Sequence, residues 1–70
     1  MEKFGKLAKL ILGEEFKLQV LHSPAGFYIG TENEDGVPVS RESEAYFQDE
    51  KQAIKALESG EWTQRPDILS

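Results

Sequence analysis

The sequence predicts an α+β fold in the order α-β-β-β-α, a three-stranded antiparallel meander with both helices on one face. Three observations carry that reading. Apolar residues recur at helical spacing at both ends of the chain, at Phe4, Leu7, Ala8 and Ile11 and again at Ala53, Ile54 and Leu57. Between them, Phe16–His22 alternates and Phe27–Thr31 is rich in aromatic and β-branched residues. Asp35-Gly36 then separates that second run from a third, the strongest short-range hairpin signal in the chain.

Taken in order, residues 2–12 read as a first helix, with Leu12 widening its apolar face and Lys3, Lys6 and Lys9 on another side. Gly13 supplies its left-handed stop, and Gly5 weakens its first turn by about 1 kcal/mol. In Phe16–His22, the residues Phe16, Leu18 and Val20 point one way and Lys17, Gln19 and Leu21 the other. His22-Ser-Pro-Ala-Gly26 is a turn, since Pro24 presets φ and Gly26 can take positive φ. Gly30, inside the second strand, marks a bulge or a large side chain lying across it. After the turn, Pro38 has no amide hydrogen to give, so the returning strand lies at an edge or starts there. Simple alternation puts Val39, Arg41, Ser43, Ala45 and Phe47 on the face of Ile29, and Ser40, Glu42, Glu44 and Tyr46 on the other, with a helical turn over Ser43–Phe47 as the alternative. Asp49 with Gln52 resembles a capping box opening a helix over 49–59. Ala53, Ile54 and Leu57 form its buried stripe, and Gly60 its C′ residue. Trp62 folds back beside Leu57. Gln64–Ser70 with Pro66 reads as a frayed end, the domain proper being 1–65 and the tail 66–70.

Composition narrows the function. The absence of cysteine removes disulfides, thiolate zinc sites and thiol nucleophiles together, and His22 alone cannot build a multi-histidine metal site. The longest apolar run near the N-terminus, Leu10-Ile11-Leu12, is far short of a secretory or membrane-spanning segment, and Glu2 does not fit myristoylation. A cytoplasmic location is expected, with no membrane. The N-terminal dodecapeptide sets Lys3, Lys6 and Lys9 against Glu2, a net +2. Residues 13–70 carry five basic and twelve acidic side chains, a net −7. Such a body repels phosphate, which disfavours DNA and RNA, and it suits a basic protein partner or a cation better.

Several constellations could carry chemistry. Setting Gly36 at position 6 of a calcium loop places Asn33, Asp35 and Glu42 at ligand positions. Thr31 then stands where aspartate is needed, Pro38 interrupts the pattern and flanking helices are missing. His22 beside Ser23 is a poor arrangement for a base that must reach a serine oxygen, and no glycine-framed nucleophile elbow occurs. No enzyme activity, metal or cofactor is expected. The element order is also that of double-stranded-RNA-binding domains, but Gln48-Asp49-Glu50-Lys51 is acidic where those domains carry lysines. An acidic chain of this size could also mimic the charge of nucleic acid and block a protein that binds it.

Tyr28-Ile29-Gly30-Thr31, Asp35-Gly36, Pro38, Ser40-Arg41, Ser43, Tyr46-Phe47, Ala53 and Ala56-Leu57 together resemble a pattern in small bacterial proteins of mobile elements and prophages. The resemblance spans residues 28–57, implies a self-contained module and brings no activity with it. What is left is a protein-binding or regulatory module. Tyr28 and Tyr46 fall on the face opposite Ile29 and Phe47; as cross-strand neighbours they form either an exposed aromatic pair rimmed by Glu42 and Glu44 or a pair packed under one helix. Arg41 stands among acids, and with Ser43 on the same strand completes the candidate binding set Tyr28, Arg41, Ser43 and Tyr46.

Overall fold

A computed structural model describes residues 4–66 and contains the expected α+β architecture. The elements are α1 (Lys6–Leu12), β1 (Gln19–Ser23), β2 (Gly26–Glu32), β3 (Pro38–Arg41) and α2 (Glu50–Ser59). The sheet is an antiparallel meander, β1-β2-β3, with both helices on one face. α1 meets β3, and α2 lies over β1 and β2.

Turn chemistry sets the sheet's register. Pro24-Ala25 joins Ser23 to Gly26, which pair directly, and the Ser23 hydroxyl accepts from the Ala25 amide and donates to the Gly26 carbonyl. That pairing places Val20 opposite Ile29 and Leu21 opposite Tyr28, the two-face alternation the sequence predicts. The second turn closes on Asn33 and Val37, with Gly36 at φ 79°. Asn33 Oδ1 accepts from the amides of Asp35 and Val37, so the side chain builds the turn from within.

Helix α1 starts later than its apolar spacing suggests. Phe4 forms an antiparallel bridge with Lys17, and the Gly5 amide donates to the Phe16 carbonyl at 2.9 Å, so the chain is extended until Lys6. Residues 2 and 3 of the expected helix lie outside the described residues. Of the face assigned to the core, Leu7 and Ala8 are buried, whereas Ile11 and Leu12 are about half exposed, as is Phe4. Helix α2 begins as its cap predicts, with Asp49 accepting from the Gln52 amide at 2.8 Å and Gly60 left-handed at the far end. Its buried stripe is Ala53 and Ala56 with Leu57 half-buried, and Ile54 faces solvent. The helix is rotated to bring its two alanines onto the sheet, because small side chains permit the closest approach.

The core consists of Leu7, Ala8, Tyr28, Ile29, Ala53 and Ala56, together with the buried polar residues Thr31, Glu42 and Ser43. Gly30 is where the sheet needs no side chain. A Cβ there would come within 2.8 Å of the Tyr28 ring, which lies across it.

The returning strand departs most from expectation. β3 ends at Arg41, and the amides of Glu42 and Ser43 both donate to the Ile29 carbonyl at 2.9 Å. Two residues facing one constitute a bulge, which exchanges the faces of everything before it relative to everything after it. A second irregularity lies between Thr31 and Glu32. Arg41 therefore pairs with Gly30 on the Tyr28 face, and Ser40 with Thr31 on the Ile29 face, both inverting the simple alternation. Beyond the bulge the expected parity returns, with Phe47 bridging Phe27 and Tyr46 beside Tyr28.

The end of the described chain is tied down rather than frayed at Gln64 and Arg65. Ser43 bridges Gln64, the Glu44 amide donates to the Thr63 carbonyl, and the Arg65 amide donates to the Glu42 carbonyl, each amide bond at 2.8 Å. Trp62 is half-buried and shares a hollow with Phe4, Leu18 and Gln64. Residues 67–70 of the expected tail lie outside the described residues.

Candidate binding surface

The bulge creates two sites, one on each face of the sheet. On the helix face it buries Glu42 completely. One carboxylate oxygen accepts from the Leu7 amide at 2.9 Å and from Gln64 Nε2 at 2.8 Å. The other accepts from the Ala8 amide at 3.0 Å and the Ser40 hydroxyl at 2.6 Å. Since Ser40 spends its proton on Glu42, the Thr31 hydroxyl at 2.7 Å is the one that donates to Ser40. Leu7 and Ala8 hold two of the orphan amides of α1, whose N-cap Gly5 offers no side chain. Glu42 therefore caps a helix 35 residues away in sequence. Burial pushes its carboxyl pKa up. The hydrogen bonds from Leu7, Ser40, Gln64 and Ala8 outweigh that, holding it below the ordinary carboxylate value. Simple alternation puts Glu42 at the rim of the tyrosine pair, and the calcium-loop spacing puts it at a ligand position. It is instead an interior anchor joining α1, β3 and the C-terminal segment.

On the opposite face stand three of the four candidate binding residues. The rings of Tyr28 and Tyr46 meet edge to face with centroids 5.9 Å apart. Tyr28 is buried at 7% exposure and Tyr46 is open at 41%, so the pair is half foundation and half surface. The Arg41 guanidinium lies over the Tyr46 ring, 4.7 Å from its centroid. Burial raises the Tyr28 pKa, as do Tyr46 and the Glu32 charge, while Arg41 opposes them. Tyr28 is thus a neutral hydroxyl at physiological pH. Arg41 Nε is buried and has no acceptor among the described residues.

Ser43, the fourth candidate, is fully buried. Its hydroxyl accepts from the Ile29 amide at 3.0 Å and donates to the Ala45 carbonyl at 2.9 Å, which pins the bulge. It shapes the surface from beneath and presents nothing to a partner. Two residues outside the candidate set belong beside the surface. Glu32 acts electrostatically on Tyr28, and Arg65 donates from Nη1 to the Arg41 carbonyl at 3.2 Å. Alternation along β2 could have flagged Glu32. Arg65 could not have been found from spacing, because a long-range bridge brings it in. The other polar residues weighed for chemistry serve locally, with His22 stacked on Phe27 at 4.3 Å and the Ser23 hydroxyl held in its turn.

No family model matches the chain, and no curated protein or solved structure is significantly similar to it. Among the described residues no cluster of metal-ligating side chains could hold an ion, and no helix is long and apolar enough to cross a membrane.

Proposed function

We propose that this protein is a non-enzymatic binding module of the cytoplasm that meets a protein partner through the Tyr28, Arg41 and Tyr46 face of its sheet. One observation carries the reading: an arginine is laid over an exposed aromatic ring on the helix-free face with its buried Nε lacking an acceptor among the described residues. Arginine and tyrosine are among the residues that most often supply binding energy at protein interfaces, and burying an unpartnered N–H donor is otherwise a cost. The acidic body, net −5 over the chain, weighs against nucleic acid as the ligand.

Photo-crosslinking tests this reading. A photoreactive residue at position 46 should capture a discrete partner in the host cell, and Arg41→Ala should weaken the capture. The same group at Glu58, on the exposed side of α2, is the control. Equal capture from both positions, or none from position 46, would refute the assignment of the surface.

A further inference from the structure

Resting on the reading of this face as a protein contact, we propose that the group it receives is a carboxylate. The ligand is a single aspartate or glutamate side chain on the partner's surface, held by Arg41 beside the Tyr28 and Tyr46 rings. The chain carries thirteen acids, yet neither Arg41 nor Arg65 forms an ion pair among the described residues. All the acceptors these two guanidinium groups have there amount to one backbone carbonyl, that of Arg41, taken by Arg65. Arg41 is already immobilised over Tyr46, so little rotamer freedom remains to be lost when an anion docks. Its planar fork matches a carboxylate in two parallel hydrogen bonds. Tyr46 is exposed beside Arg41, and the buried Tyr28 ring backs the pair from below.

The same surroundings select among anions. Glu32 is near enough to act on Tyr28, and the chain as a whole is at −5. Each unit of negative charge on a ligand is therefore opposed, and a monoanionic carboxylate is opposed less than a phosphate dianion. Glu32 lowers affinity in this arrangement, so removing its charge should strengthen the site. That expectation does not depend on damaging the fold.

The test is an amide and arginine side-chain NMR titration at constant ionic strength, using an end-capped tripeptide with one central glutamate, the same tripeptide with glutamine, and inorganic phosphate as separate probes. The glutamate peptide should give a saturable shift of the Arg41 Nε–H signal and of the Tyr46 ring, and the glutamine peptide should give none. Arg41→Lys, which keeps the charge but loses the fork, should weaken binding about tenfold. Glu32→Gln should tighten it roughly two- to fivefold. The proposal is overturned if the glutamate peptide shifts only the lysines of α1, if phosphate saturates the site and the glutamate peptide does not, or if Glu32→Gln weakens binding. If the titration fails while position 46 still crosslinks a partner, the surface is right and its carboxylate ligand is wrong. If both fail, the protein contact itself is wrong.

Discussion

Glu42→Gln is the substitution that probes this fold most directly, because it keeps the shape of the side chain and changes only its hydrogen-bonding chemistry. In the native protein the two carboxylate oxygens accept four hydrogen bonds, two of them from backbone amides. An amide nitrogen at either oxygen's position faces donors. At the Leu7 side, Gln64 can turn its own amide to offer an oxygen, but the Leu7 N–H cannot adapt. At the Ala8 side, the Ser40 hydroxyl can rotate to accept, but the Ala8 N–H cannot. Either way one buried backbone amide is orphaned, at about 1–3 kcal/mol. The surviving bonds become neutral ones, losing on the order of 1 kcal/mol more, and the negative charge at the N-terminus of α1 disappears. The total is about 2–5 kcal/mol against the roughly 4–10 kcal/mol expected for a domain of this size. Chemical denaturation at pH 7, followed by circular dichroism, should show that loss, and Tm should fall by at least ~10 °C.

The same group dictates the acid limit. Because the folded pKa of Glu42 lies below its unfolded value of about 4.3, its contribution is fully present above that value. It is lost as pH falls through the folded value. Stability of the native protein should therefore drop more steeply below about pH 4.3 than that of Glu42→Gln, and the two curves should converge. A loss under ~0.5 kcal/mol at pH 7, or parallel acid titrations, would refute the argument that this carboxylate anchors the helix.

Two further substitutions test the surroundings. Gly5→Ala should destabilise by about 1–3 kcal/mol by denaturant melt, because its Cβ would sit 2.7 Å from both Glu42 Oε2 and Thr31 Cγ2. An unchanged midpoint would mean that α1 does not lie as close to the sheet as described. Gly36→Val should cost about 1 kcal/mol or more purely through its backbone, since φ is 79° and a Cβ there would meet nothing within 4 Å. If thermal stability is unchanged, the left-handed turn residue is misassigned.

Much of this architecture was readable from local chemistry. The Asp49 cap, the Gly60 stop, the left-handed Gly36 and the Pro24 turn each depend on a few neighbouring atoms, so the residue type at each position dictates the conformation. Alternation through β1 and β2 was equally legible, because neighbouring strands in short hairpins inherit their register from the turn. These signals place Tyr28 and Tyr46 on one face, and the structure brings them into contact.

What sequence could not decide was everything that depends on a distant partner. No local rule says that Ile29 accepts two amides or that the register shifts between Thr31 and Glu32, yet these two irregularities bring Arg41 to the tyrosines and Glu42 to the interior. The rotation of α2 that buries Ala56 instead of Ile54 depends on how closely the sheet approaches. Glu42 is the sharpest case. By type and neighbours it is one more acid in an acidic run, and only tertiary structure supplies the donors that make its burial favourable. A charge is accepted into a core when enough hydrogen bonds converge on it, and those come here from residues 7, 8, 40 and 64, three of which lie more than twenty positions away.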